Sequence, residues 1–347
     1  MAVKVGIIGA TGYAGEDLVR LLSSHPDAEI SMIMSKSYAG KELSELFGSF
    51  AAAGLPVLSE INMEAIEKEC DIVFTGLPHG ASLDVVPELL EHGVKVIDLS
   101  GDFRYNDKAV YEKWYGIKHT HEDLLHEAVY GLPEIYRERI KKSRIVANPG
   151  CYTTTSILAL YPLLAKGAVK HNGIIIDAKS GTSGAGRKAN IDYGFCEVNN
   201  NMKAYGVTTH RHTSEIEQEL STAAASEIML SFTPHLLPVN RGIFATIYAD
   251  LNTGVTKDDI KAAYDEFYEG EIFTHVMPYG TLPELKHVCG SNNCFIGYKI
   301  DERLSRLIII SCTDNLIKGA AGQAIENMNL MFGLPEDTGL PKIANYL

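Results

Sequence analysis

No stretch of this sequence approaches the roughly 20 apolar residues that a membrane span requires, so no membrane association is expected. Metal-ligand spacing is missing too. The six cysteines, Cys70, Cys151, Cys196, Cys289, Cys294 and Cys312, are scattered through a long chain. That pattern fits free thiols in a reduced, cytoplasmic protein better than a metal site or a disulfide framework. Positive charge is scarce: 31 Lys and Arg face 44 Asp and Glu, a formal net charge of −13. Such a balance argues against general nucleic-acid binding, and it leaves any anionic substrate to be held by local cations. There is no internal repeat and no low-complexity tract. The opening Met-Ala-Val-Lys-Val-Gly-Ile-Ile-Gly runs straight into a strand pattern, so no signal peptide is expected. What is present is an ordinary globular balance, 46% hydrophobic and 22% charged, over 347 residues. That length suffices for two domains with a substantial core.

One short stretch organises the rest. Arg144 to Ala147 reads as a strand, Pro149 and Gly150 break it, and Cys151 follows. Behind it Ile157, Leu158, Leu160, Leu163 and Leu164 recur at helical spacing. A cysteine that opens a helix sits at the positive end of the helix dipole, which favours the nucleophilic thiolate. The competing reading is a buried, inert cysteine, the commoner fate of a free thiol.

The chain before Cys151 alternates strands and helices. Val3 to Ile8 is a continuous apolar strand, followed by Gly9-Ala-Thr-Gly-Tyr-Ala-Gly15 and a helix over about 16–24. Glycines between strand and helix let backbone N–H groups face a phosphate. The spacing is G-x-x-G-x-x-G, so its context carries the reading more than its pattern. A second strand covers about 29–34. Where NAD enzymes of this kind place a ribose-binding acid, the sequence has Ser35, Lys36 and Ser37, with Lys41 beyond. A cation and hydroxyls suit a 2′-phosphate, so NADP is favoured over NAD. Strands at 70–75 and 95–99, with a helix over 81–92 between them, complete the signature of a doubly wound parallel sheet. Leu77-Pro-His-Gly80 and Ser100-Gly-Asp-Phe-Arg104 are loops at strand ends, where ligands of such sheets lie. Arg104 could grip an anion or pair with Asp102 or Asp107. His79 could act there or simply precede the helix.

After Cys151 the alternation weakens. A strand over 173–179 leads into the small-residue loop Ser180-Gly-Thr-Ser-Gly-Ala-Gly, closed by Arg187 and Lys188, which suits close approach to an anion. Next come His210, Arg211 and His212. A helix is expected from Thr213 or Ser214, with the spacing of a capping box. Two histidines flanking an arginine are candidates for acid–base and anion work, although spacing alone does not bring them to Cys151. Strands over 228–233, 242–251 and 304–312, with a helix over 258–269, predict a mainly antiparallel α+β domain. A last helix from Thr313 to about Phe332 is expected to return to the first domain, with Asn315 at the junction. The expected division is 1–150 with 314–347 for cofactor binding, and 151–313 for catalysis, substrate and oligomerisation.

These motifs together resemble the N-acetyl-γ-glutamyl-phosphate reductase family, in its longer bacterial type, within the aspartate-semialdehyde dehydrogenase superfamily. The resemblance runs nearly end to end, through Gly9–Gly15, Ser37-Tyr-Ala-Gly-Lys41, Leu77–Gly80, Asp98–Arg104, Asn148-Pro-Gly-Cys-Tyr152, Ser180–Arg187, His210–His212 and the Asn315 helix. Thr153 and Ser214 stand where the family usually or often has proline. The resemblance implies an NADP-dependent reductase of arginine biosynthesis, in which Cys151 attacks an acyl phosphate, a thioester forms, and His212 moves the proton with support from His210. It implies NADP(H) contacts at Gly9, Thr11, Gly12, Tyr13, Ala14, Gly15, Ser35, Lys36, Ser37, Leu77, Pro78, Ser180, Gly181, Ser183, Gly184 and Asn315. Candidates for the substrate are Arg104, Asn148, Arg187, Lys188, His210 and Arg211. The implied partners are a small acyl phosphate and further copies of the chain, as a homodimer or homotetramer. Rival readings are a sister reductase for an aspartyl or aminoadipyl-type substrate, and a non-catalytic NADP sensor. The motif wording disfavours the aspartyl substrate, and Cys151 together with His212 disfavours the sensor.

Overall fold

Apolar runs bounded by Gly and Pro become six parallel strands in the first unit. The structure is a computed structural model that describes residues 2–345; Met1, Tyr346 and Leu347, to which the expected domain ranges extend, lie outside the described residues. The first compact unit comprises the chain through Pro149 together with Ala320–Leu340. Its elements run β1 (Val3–Ile8), α1 (Tyr13–Leu22), β2 (Ala28–Met34), α2 (Met63–Glu69), β3 (Ile72–Thr75), α3 (Ser82–Glu91), β4 (Lys95–Asp98), α4 (Lys108–Tyr115), α5 (Glu122–Glu127), β5 (Val129–Tyr130), α6 (Pro133–Ile140) and β6 (Ile145–Ala147). The sheet order is β2-β1-β3-β4-β6-β5, parallel throughout. Parallel strands need crossovers and are covered on both faces, which is why they read as near-continuous apolar runs. Val5, Ile7, Val73, Phe74, Val96, Ile97 and Val146 are fully buried accordingly.

α1 begins at Tyr13, three residues earlier than expected, because extended Gly12 already serves as its cap. Gly9 takes a φ of +90°, and a Cβ at Gly15 would run into the Gly9 carbonyl. Two of the three glycines are therefore demanded by the turn and by helix–strand packing.

The second unit comprises Gly150–Gly319 and the chain from Pro341 onward. Its elements are α7 (Cys151–Ala165), β7 (Ile175–Ser180), α8 (Phe195–Val198), β8 (Lys203–Ala204), α9 (His212–Ala224), β9 (Ser231–Leu236), β10 (Ile243–Asp250), α10 (Lys257–Tyr268), β11 (Thr274–Val276), β12 (Cys294–Asp301) and β13 (Arg306–Thr313). The strands form one sheet in the order β11-β12-β13-β10-β7-β9-β8. Its pairings are antiparallel except β11 with β12 and β7 with β9. The expected α+β unit with a mainly antiparallel sheet is the one found. β12 was not foreseen, although it pairs with β13 along eight residues. α7 packs on β10, β12 and β13, and α9 and α10 pack on α7.

The chain leaves the second unit after Gly319, through a π-turn at Ile317–Ala321, and α11 (Gly322–Met331) is buried throughout in the first unit. The return therefore starts six residues later than the expected boundary at 314. The chain also rejoins the second unit at Pro341, where the Asn292 N–H bonds the Pro341 carbonyl and Asn293 Nδ2 the Lys342 carbonyl.

Candidate active site

Cys151 is the first residue of α7, capped by Gly150 with no side-chain cap. The first turn is tied back on itself, because the hydroxyls of Thr153 and Thr154 reach the Gly150 carbonyl at 2.5 and 3.2 Å and that of Thr155 the Cys151 carbonyl at 3.0 Å. Such i−3 and i−4 bonds are what hydroxyl side chains offer inside a helix. Thr153 thus fills a position usual for proline with a hydroxyl that also lies 2.9 Å from the Glu215 carboxylate. Glu215 is fully buried and accepts the Gly150 N–H at 3.0 Å, one of the donors a helix start leaves without a helical partner. Beside Cys151, a Cβ at Gly319 would lie 2.7 Å from Cys151 Cβ. Only glycine lets that turn come so close.

The two histidines are brought to this centre. A Cβ at Gly150 would overlap Nε2 of His212, so the imidazole lies against the residue that precedes the cysteine. α9 starts at His212 itself, not at Thr213 or Ser214, and the expected capping box is absent. The Ser214 hydroxyl turns back to the Arg211 carbonyl at 3.0 Å, and His210 Nδ1 accepts the His212 N–H at 3.2 Å. With Nδ1 accepting, neutral His210 carries its proton on Nε2. Burial lowers the His210 pKa to about 4, against the upward pull of Glu215, so the ring is neutral near pH 7. Tyr152, Tyr205 and Phe232 meet the His210 ring edge-on at 5.7, 5.5 and 5.4 Å, and His212 does so at 4.8 Å. The Tyr205 hydroxyl donates to that of Tyr152 at 3.0 Å, which donates to the His235 carbonyl at 3.3 Å.

The other expected residues divide by unit. In the first unit, Gly9, Thr11, Gly12, Tyr13, Ala14 and Gly15 form the turn between β1 and α1, where Gly12 caps the helix without a side chain and a Cβ there would meet only the Gly9 carbonyl, at 3.6 Å. Ser35, Lys36 and Ser37 follow β2, with Lys36 and Ser37 exposed. Leu77 and Pro78 follow β3. Their loop is tethered where the Gly80 N–H reaches the Asp102 carboxylate at 2.8 Å and Gly101 donates to His79 Nδ1 at 3.3 Å. His79 thus takes the structural of its two readings. A cap-free helix start and a cation with hydroxyls at the end of β2 fit a dinucleotide carrying a 2′-phosphate. In the second unit, buried Ser180 starts a tight loop in which Ser183 donates to the Asn240 carbonyl at 2.6 Å. Gly181 leaves no room for a Cβ, which would sit 2.6 Å from the Arg241 nitrogen, and one at Gly184 would lie 2.7 Å from Ser180 Oγ. Asn315 locks this loop, accepting the Gly242 N–H at 2.7 Å and donating to Ser183 Oγ at 2.9 Å.

The substrate candidates are spread out. Arg211 adjoins His212 at the start of α9, while Arg187 and Lys188 are exposed beyond the small-residue loop. Two more candidates are hydrogen-bonded within the first unit. Buried Arg104 donates from Nη2 to the Leu99 carbonyl at 3.0 Å, and Asn148 uses Nδ2 on the Ala320 carbonyl at 3.0 Å and Oδ1 on Asn327 at 3.1 Å. Sequence reasoning missed Glu215 as the partner of the Gly150 N–H and Gly319 as the neighbour of Cys151. The i+3 spacing of Glu215 from His212 was a usable signal; the small residues Gly319 to Gly322 signalled tight packing without naming what they pack against. Among the described residues no helix is long and apolar enough to cross a membrane, and no group of three or more His, Cys, Asp or Glu could hold a metal.

Comparison with known proteins agrees with this division. Residues 4–143 match the semialdehyde dehydrogenase NAD-binding domain, and residues 151–315 the semialdehyde dehydrogenase dimerisation domain. The chain is 52% identical over 338 residues to N-acetyl-gamma-glutamyl-phosphate reductase of Desulforamulus reducens, covering 97% of this chain and 98% of that one. It is 51% identical to the protein of the same name from Lachnoclostridium phytofermentans, with the same coverage. Among solved structures, aspartate semialdehyde dehydrogenase II of Vibrio cholerae superposes with a TM-score of 0.73 at 19% identity, over 96% of this chain and 99% of that one. Aspartate semialdehyde dehydrogenase of Candida albicans, solved with NADP, does so at 0.69 and 20% identity, with the same coverage.

Proposed function

The chain belongs to the N-acetyl-γ-glutamyl-phosphate reductase family, and from that premise we propose that it reduces N-acetyl-L-glutamyl 5-phosphate to N-acetyl-L-glutamate 5-semialdehyde and phosphate, in arginine biosynthesis. One observation carries the chemistry: Cys151 opens α7 with the His212 imidazole packed against the preceding glycine.

The helix start favours the Cys151 thiolate. The sulfur attacks the acyl carbon, a C–S bond forms, the C–O bond to phosphorus breaks, and phosphate leaves. NADPH, when bound, supplies the hydride that converts the thioester to the oxidation level of the aldehyde. His212 gives a proton to the carbonyl oxygen as that oxygen gains charge. It takes the proton back as the C–S bond breaks and the thiolate is released. His210, neutral and bonded to the His212 backbone, orients the imidazole and the start of α9. Glu215 holds the Gly150 turn beneath the sulfur. Arg211, Arg187 and Lys188 bind the anionic groups of the substrate. The cofactor is held by the Gly9–Gly15 turn, by Ser35, Lys36 and Ser37 at the 2′-phosphate, by Leu77 and Pro78, and by the loop that Ser180, Gly181, Ser183, Gly184 and Asn315 build.

The dinucleotide-binding turn belongs to the first unit, and catalysis and oligomerisation to the second. The protein works as a homodimer or homotetramer in the reducing cytoplasm. The match of residues 151–315 to a dimerisation domain supports this, as does the sheet around β10, whose residues alternate between buried and half-buried. The test is phosphate-dependent NADP reduction with three semialdehydes in parallel: N-acetylglutamate, aspartate and an aminoadipate-type homologue. The expected result is turnover with the first, far above the other two. Preference for either of the others moves the substrate assignment. Cofactor binding without turnover on any of them ends the enzymatic reading.

A further inference from the structure

Asp314 is fully buried and bonds neither His212 nor Cys151, yet three separate segments of the second unit converge on its carboxylate. Oδ1 accepts the Leu316 and Ile317 N–H groups at 2.8 and 3.1 Å, at the start of the π-turn that carries Gly319. The Asp314 carbonyl accepts the Gly319 N–H at 2.9 Å, which pins the residue whose Cβ position lies against Cys151. Oδ2 accepts the Gly290 N–H at 2.8 Å. The Arg241 guanidinium completes the shell, with Nε 3.2 Å from Oδ2 and Nη2 3.2 Å from Oδ1. Arg241 is itself part of the opposite wall. Its backbone nitrogen is what leaves no space for a side chain at Gly181, and the Cys289 thiol contacts its carbonyl at 3.6 Å. The next residue on each strand end repeats the link, since Asn315 bonds both Gly242 N–H and Ser183 Oγ.

We infer that the pair of buried Asp314 and half-buried Arg241 is a positioning device that couples two pieces of the site, the π-turn holding Gly319 against Cys151 and the small-residue loop from Ser180 to Ala185. A carboxylate shared among three backbone N–H groups and a forked guanidinium has one well-satisfied arrangement. Losing Arg241 leaves the buried carboxylate without its counter-charge, and losing the Asp314 charge releases the guanidinium and weakens the three backbone bonds, so both pieces relax together. The coupling rests on the proposed reading that the loop contacts NADPH and that Cys151 is the nucleophile.

The test uses cofactor-free full-length protein, with Arg241→Met, Arg241→Lys and Asp314→Asn. Two quantities are read on folded protein. One is the rate at which iodoacetamide labels Cys151, mapped by mass spectrometry against exposed Cys196 in the same molecule. The other is the NADPH dissociation constant from fluorescence titration. For Arg241→Met and Asp314→Asn the expected result is a slowing of Cys151 labelling and a weakening of NADPH binding, each about tenfold, the size of one lost charged hydrogen bond. Arg241→Lys should recover part of both, because an ammonium keeps the charge but not the fork. A lower melting temperature with both readouts unchanged reduces the pair to a structural role and overturns the inference, as does movement of only one of them. If Arg241→Met does not fold, the two near-isosteric variants decide by the same criteria. Failure of the wild-type protein to bind NADPH, or to label Cys151 ahead of Cys196, instead overturns the reading on which the inference rests, and shows in the control before any variant is compared.

Discussion

Two glycine-containing turns lead from parallel strands into helices, one after β1 and one after β6, and they are finished in opposite ways. At the first, extended Gly12 caps α1 with no side-chain bond, and the space beside it is open. Backbone N–H groups and the helix dipole are left facing outward, as an anion requires. At the second, Gly150 also caps its helix without a side chain of its own, but its N–H goes to buried Glu215 and its carbonyl takes the hydroxyls of Thr153 and Thr154. The dipole acts there on the side chain at the first helical position, a thiol. In the proposed reaction the same backbone geometry therefore serves a ligand in one place and a nucleophile in the other. What differs is whether neighbouring side chains fill the helix start.

The largest expected effect breaks the second turn alone. Cys151→Ser should abolish turnover in both directions while NADPH binding at the Gly9–Gly15 turn survives; near-normal activity in that variant would sink the thioester chemistry. Gly150→Ala comes next. The φ of −72° suits any residue, so the change tests only the collision with His212. Activity should fall roughly 10²–10⁴-fold, the range for lost acid–base help, and His212→Asn should fall as far without adding to it. An alanine variant with full activity would place the imidazole elsewhere during catalysis.

Smaller effects sharpen how each turn meets its anion. Ser35→Asp should shift cofactor preference away from NADPH by repelling the 2′-phosphate, and Arg211→Ala should lower kcat/KM about ten- to a hundredfold with NADPH affinity nearly intact. The first is checked by the kcat/KM ratio for NADPH and NADH, the second by steady-state kinetics beside an NADPH titration. The smallest effect is on stability. The His210 pKa is lowered to about 4 by burial, while an unfolded histidine titrates near 6.5. Between those values the unfolded chain binds the extra proton. His210 therefore contributes a loss of stability as pH falls from about 6.5 toward 4, of order 3 kcal/mol in full. Denaturant unfolding at pH 7 and pH 5 should show a smaller loss in His210→Phe than in the parent, and equal losses would show that the ring does not stay neutral in the fold.

Legibility differed between the same two regions. The individual apolar strands of the parallel sheet, the Gly9–Gly15 turn, the Ser35–Ser37 cluster and the placing of Cys151 at a helix start are each set by a short run of neighbouring residues. Periodicity and Pro-Gly punctuation report such features directly. Helix starts were less legible. α9 begins one or two residues early because His210 takes the His212 N–H and displaces the expected serine or threonine cap. β12 escaped notice because its place depends on a partner strand, and strand preference is mostly a matter of what the strand packs against. The backbone partners of Arg104 and Asn148, the Leu99 and Ala320 carbonyls, were not legible either, because they depend on how the loops pack.

By its own order of residues, the sequence determined a two-part chain with a dinucleotide-type turn, a cysteine at a helix start, and a cation between two histidines. Tertiary structure alone decided which groups meet. It brought His212 against Gly150 across some sixty positions of chain, set Gly319 so close to Cys151 that an added Cβ would lie 2.7 Å from the cysteine's own, and gave the Gly150 N–H to Glu215. The physical reason is range. Backbone sterics and hydrophobic periodicity act between near neighbours in the chain, whereas the fit of a ring, a carboxylate or a bare backbone against the thiol exists only once the sheet and its helices have packed.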